Sequence, residues 1–143
     1  MSDFKYTAGL NNVGSYQVSG APFVSSSIDC GALGGPIKIT FPYVTRWIMV
    51  QNNSVETPED LKVGFSSLGI TETNNFFTVF NRQSAVNADR SSICPRLEIK
   101  LSELWLTGSS NCEVIAGLTN IPIERINNIG TKGNNWSGSS GVG

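Results

Sequence analysis

Apolar and polar positions alternate in short bursts along the middle of this chain. Ile37-Lys38-Ile39-Thr40-Phe41 alternates over five residues, which predicts a half-buried strand with Ile37, Ile39 and Phe41 on its inner face. Pro42 ends that run, because proline cannot donate to a central ladder. Arg46 to Gln51 (RWIMVQ) is nearly continuous in apolar residues, the pattern of a strand covered on both faces. A polar loop is expected over Asn52–Asp60, with at most one helical turn at Thr57-Pro58-Glu59-Asp60. Leu61-Lys62-Val63-Gly64-Phe65 alternates again, and Phe76-Phe77-Thr78-Val79-Phe80 is rich in strand-favouring residues. Asn81–Pro95 reads as an exposed loop. Leu97-Glu98-Ile99-Lys100-Leu101 has the cleanest alternation, and Leu104-Trp105-Leu106 continues it as a new strand or past a bulge at Ser102-Glu103. Cys112 to Leu118 closes the set after a turn at Thr107–Asn111. Six or seven strands without any sustained 3.6-residue period predict an all-β protein, an antiparallel β-sandwich or barrel. A jelly-roll-like sandwich is the first choice, although strand count does not separate it from an immunoglobulin-like one.

The two ends differ from the middle. Residues 1–27 scatter apolar side chains among Gly, Ser and Asn, and residues 126–143 (INNIGTKGNNWSGSSGVG) are poorer still in apolar anchors. Ordering such segments costs about 1–2 kcal/mol per residue, which they do not recover by burying themselves. The division expected is therefore an extended N-terminal arm over 1–27, a sandwich domain over 28–125 and a C-terminal arm over 126–143. Aromatic anchors in polar segments are characteristic of subunit contacts. The candidate interface residues on the arms are Tyr6, Leu10, Val13, Tyr16, Val18, Phe23 and Trp136.

Composition narrows the function classes. The chain has 143 residues, enough for one domain, with 39% hydrophobic and only 15% charged residues. Ten basic and eleven acidic residues are dispersed, so the clustered basic footprint of a nucleic-acid binder is missing. No run approaches the roughly 20 apolar residues of a membrane span, and Met1–Lys5 does not open like a signal peptide. Cys30, Cys94 and Cys112 are read as buried reduced thiols of a protein made in a cytoplasm, with a Cys94–Cys112 bridge left open. Outside a secretory pathway, the Asn-x-Ser triplets at Asn52 and Asn135 carry no meaning.

Chemistry is sparse. The sequence contains no histidine, which removes the commonest general acid–base and the usual triads and zinc ligands. Gly31, Gly34 and Gly35 precede a strand, the wrong context for a phosphate loop. Glu56, Glu59 and Asp60 are the one carboxylate cluster available for paired-carboxylate hydrolysis, and read more simply as solvated turn residues. Asp29 reads as a turn cap ahead of a calcium ligand. Trp47 and Trp105 are expected in the core or at a subunit contact, with a sugar-stacking platform as the alternative. The expectation is a protein without enzymatic activity, cofactor or metal.

The termini carry a resemblance. Tyr6 to Gly20 (YTAGLNNVGSYQVSG), followed by Pro22-Phe23, resembles the opening of small virion structural proteins of marine tailed phages and related large DNA viruses. The likeness returns at Ile39–Thr45 (ITFPYVT), at Gly117–Pro122 (GLTNIP) and at Asn134–Gly138 (NNWSG), together under half of the chain. It implies a capsid decoration or minor capsid protein on the capsid exterior, assembled in the host cytoplasm. The implied partners are the major capsid protein and neighbouring copies of itself, with a homo-trimer favoured and no nucleic acid or membrane. The alternative is a fibre or lectin-like host-recognition module, using the loops Asn52–Asp60 and Asn81–Pro95.

Overall fold

The structure, a computed structural model, describes residues 20–31, 35–56, 59–71, 74–82 and 92–124. Its elements are β1 (Pro22–Ile28), β2 (Ile37–Thr40), β3 (Tyr43–Asn52), β4 (Leu61–Gly64), a short helix α1 (Ser67–Thr71), β5 (Phe76–Val79), β6 (Glu103–Thr107) and β7 (Cys112–Pro122). One sheet has the order β1-β7-β3 and the other β2-β6-β4-β5, with every pairing antiparallel.

Residues 92–101 extend the first sheet along the free edge of β3. Ile48 and Leu97 exchange both backbone hydrogen bonds, at 3.0 and 2.9 Å. Asn52 N–H donates to the Ser92 carbonyl at 2.9 Å, and Cys94 N–H to that of Val50 at 2.8 Å. The alternation at Leu97–Leu101 predicts a regular strand, yet the ladder here is broken. Pro95 has no N–H to give. Farther along, the Thr45 hydroxyl takes ladder positions, donating to the Ile99 carbonyl at 2.7 Å and accepting from Leu101 N–H at 2.9 Å.

With this segment counted, eight stretches pair first with last, second with seventh, third with sixth and fourth with fifth. Such nesting is one long antiparallel hairpin wrapped into two four-stranded sheets, the jelly-roll form of the sandwich. The chain changes sheet twice at one corner. It crosses at Phe41-Pro42 between β2 and β3, and again at Leu101-Ser102 before β6, where Phe41 N–H donates to the Ser102 carbonyl at 2.9 Å.

The period-2 patterns aim a common set of side chains between the sheets. Phe41, Ile48, Val50, Leu61, Val63, Leu101, Leu104, Leu106, Val114 and Ala116 are all fully buried there. At about 1.5–3 kcal/mol for each large aliphatic or aromatic, this burial is the main stabilising term.

The N-terminal boundary needs correction. Residues 22–28, expected within the arm, form the edge strand β1 and pair with β7 from Pro22↔Gly117 to Ile28↔Cys112. Phe23 accordingly packs inward against Phe41, edge to face with ring centroids 5.0 Å apart. It packs, partly buried, against the core, because alternation along β1 turns it inward. Tyr6, Leu10, Val13, Tyr16, Val18 and Trp136 lie outside the described residues, as does the C-terminal arm over 126–143.

Candidate functional site

The first sheet keeps an apolar outer face. Alternation along β1, β7 and β3 turns Val24, Ile115 and Met49 outward, and the register Val24↔Ile115↔Met49 sets them in one straight row across three strands. Ile93 stands opposite Gln51, one outward position along. Val24 on the edge strand is 66% exposed, Ile93 on the opposite edge 47%, and Ile115 on the central strand β7 still 37%.

A second row runs Pro22↔Gly117↔Trp47. The Trp47 indole lies across Gly117, where an added Cβ would come within 2.3 Å of Nε1. Glycine is therefore what lets the ring lie flat on the sheet. A register shift between Thr45 and Trp47 turns Arg46 out beside the ring, at the rim of a cavity of about 320 Å³ that Gly20 and Pro22 also line. Arg46 at one end and Glu113 at the other frame an apolar centre, the layout of a contact patch with a polar rim.

The second sheet is different, because its outer face carries a helix and charged side chains. Helix α1 seats Ile70 over Gly64, and Ile70 is itself buried. Lys38 pairs with Glu103 at 3.5 Å and stands 6.0 Å from the Trp105 ring, while Lys62 lies 4.8 Å over Phe76. Trp105 thus points outward and is half-buried among these neighbours, its Nε1 buried without an acceptor among the described residues. Both tryptophans face outward, on opposite sides of the sandwich. A nearly continuous apolar run such as RWIMVQ predicts cover on both faces, but the described residues cover only the inner face of β3.

A buried polar network fastens one end of the sandwich. Asn52 is fully buried, and its Nδ2 donates to the carbonyls of Glu59 (3.0 Å) and Val79 (3.1 Å). Its Oδ1 accepts from Ser54 N–H (3.1 Å) and the Ser109 hydroxyl (2.8 Å). Glu59, partly exposed in its turn, is also engaged. One of its carboxylate oxygens accepts from the Ser54 hydroxyl, the Ser110 hydroxyl (2.6 Å) and Ser110 N–H (3.1 Å). The Ser110 and Ser54 hydroxyl bonds hold its pKa below the ordinary carboxylate value, the opposite of what a general acid needs. Asp60 accepts from Asn81 N–H, so it too is engaged in fastening the loop. Asp29 caps a turn as expected, accepting from Gly31 N–H at 3.1 Å.

The thiols pair differently from the bridge left open by sequence. Cys112 faces Cys30, with sulfurs 3.9 Å apart, whereas the Cys94 thiol donates to the Pro95 carbonyl. Among the described residues no group of three or more His, Cys, Asp or Glu is placed to hold a metal, and no helix is long and apolar enough to cross a membrane. Neither protein-family models, curated proteins nor solved structures give a match to this chain. Sequence reasoning found Trp47 but missed Val24, Met49, Ile93 and Ile115. The RWIMVQ run was the available signal for this face.

Proposed function

We propose that this chain is a non-enzymatic virion structural protein, a capsid decoration or minor capsid protein. It binds the major capsid protein and neighbouring copies of itself on the capsid exterior, with a trimer favoured. The observation that carries this reading is the row Val24–Ile115–Met49, with Ile93 beside it, which no element among the described residues covers on the outer face of the first sheet. A contiguous apolar patch with a polar rim is characteristic of a protein contact. It lies on the sheet whose edge strand β1 continues directly from the N-terminal segment, where the resemblance to virion proteins is longest. The jelly-roll path is a fold that capsid proteins use, although fold alone does not assign function.

The test is binding of the purified chain to capsids stripped of it. Met49→Lys with Ile115→Lys is expected to lower capsid occupancy at least about tenfold, since charges desolvated at an interface core each oppose binding by more than 1 kcal/mol. Deletion of residues 1–19 is expected to lower it further. Undiminished binding by both variants, each still folded, would overturn the reading.

A second reading, a fibre or lectin-like recognition module, has one observation in its favour. The Trp47 ring and the exposed Arg46 share a cavity large enough for a sugar ring, although it lies on the sheet face and not among the loops. Glycan binding by the intact chain that is lost in Trp47→Ala would promote it over the capsid reading.

A further inference from the structure

Cys30 and Cys112 are separated by 82 positions in sequence, yet the fold sets their sulfurs 3.9 Å apart in the core. Three features hold them there. Cys112 opens β7 and pairs with Ile28, the last residue of β1, two positions before Cys30. Main-chain bonds anchor Cys30 from both sides, its N–H donating to the Ser109 carbonyl at 2.8 Å and its carbonyl accepting from Gly108 N–H at 3.0 Å. Gly108 can make that bond because it has a φ of 101° and no Cβ, which would otherwise lie 2.4 Å from the Asp60 carbonyl oxygen. These bonds hold the two thiols as neighbours in the native fold. The sulfurs are then about 1.9 Å from the bonded distance of about 2.0 Å.

We propose that Cys30 and Cys112 form a dithiol modification site, which low-molecular-weight disulfides convert to an intramolecular disulfide that locks the end of β1 to β7. The step is thiol–disulfide exchange. The Cys30 thiolate attacks one sulfur of the small disulfide, whose S–S bond breaks and releases one thiolate. Cys112 then gives up its proton and attacks Cys30 Sγ, displacing the second thiolate. Two protein thiols are oxidised to one disulfide, and one small disulfide is reduced to two thiols.

Cys30 acts first for two reasons. It lies two residues beyond the end of the edge strand β1, in a segment that opens more readily than the central strand β7. A hydrogen bond from Cys112 also stabilises its thiolate and lowers its pKa, while the same bond and burial push Cys112 up. Cys94 is the internal control, since it is buried against Pro95 and desolvation raises its pKa. The site stays reduced in a cytoplasm and closes outside it. None of this chemistry depends on the virion reading.

The experiment equilibrates the full chain in glutathione redox buffers from both directions, starting from native reduced protein and from unfolded reduced protein allowed to refold. Intact mass, peptide mapping and thermal melting are read out. Both starting points are expected to converge on loss of two hydrogens, a crosslinked peptide joining Cys30 to Cys112, and a melting temperature raised by at least about 5 °C. Cys94→Ser is expected to behave identically, and Cys112→Ser to stop at a glutathione adduct on Cys30. Convergence on free thiols at Cys30 and Cys112 overturns the proposal. So does a crosslink through Cys94, or a crosslinked protein that melts below the reduced one.

Discussion

At the scale of single residues, polar side chains do work that the hydrophobic pattern does not reveal. Asn52 closes four hydrogen bonds while fully buried, joining β3 to the Glu59 loop, to β5 and to the turn before β7. Asn52→Ala leaves several of these partners buried and unpaired, at about 1–3 kcal/mol for each group stranded. A loss of about 3 kcal/mol is expected in urea unfolding, and Asn52→Asp recovers little, because a carboxylate cannot donate to the two carbonyls. Glu59 makes the same end of the molecule sensitive to acid. Its folded pKa is depressed by its Ser110 and Ser54 partners. Its contribution is therefore fully present above the unfolded carboxylate value, about 4.3, and is lost as pH falls through the lower folded value. Unfolding midpoints measured between about pH 6 and 2.5 should fall less steeply for Glu59→Gln than for the parent, since the amide does not titrate. Loop composition legibly placed both residues at a turn. Their partners come from turns and strands up to 57 positions away, which no local pattern reveals.

At the scale of elements, alternation located most strands, and tertiary partners decided how regular each became. The Leu97–Leu101 alternation is the clearest in the sequence, but Pro95 and the Thr45 hydroxyl leave it an irregular edge. Pro22–Ile28, by contrast, has the weak pattern PFVSSSI and still becomes a strand, because β7 offers it a ladder edge, paired from Pro22 to Ser25 and again at Ile28. β3 and β7 are coupled through one close approach, Trp47 over Gly117. Gly117→Ala must push the indole off the sheet, at a cost of about 1–3 kcal/mol. In a Trp47→Ala background the same substitution is expected to cost less than about 0.5 kcal/mol, and a double-mutant cycle by chemical denaturation measures the difference. Equal costs in the two backgrounds would show that the ring does not rest there.

At the scale of the whole molecule, the two outer faces are unequal. One carries α1 and the Lys38–Glu103 ion pair, while the other presents Val24, Ile115 and Met49 in register. Adjacent residues on β7 test this directly, since neighbours on a strand face opposite sides. Ile115→Lys should change unfolding free energy by less than about 1 kcal/mol, as a substitution at an exposed site. Val114→Lys, one position away in the core, should remove at least about 4 kcal/mol or prevent folding altogether. A melting scan of the two purified variants separates these outcomes.

The sequence by itself determined the class of fold and most of the core. Period-2 alternation states which side chains must leave water together, and that demand is local. Through RWIMVQ it also marked β3 as apolar on both faces. Only the tertiary structure decided the nested pairing of strands, the inward turn of Phe23, the Asn52 network, the meeting of Cys30 with Cys112 and which sheet face the described residues leave without cover. Each of these depends on which distant segments become neighbours. That is set by the combined burial and hydrogen bonding of the whole chain, which no local pattern encodes.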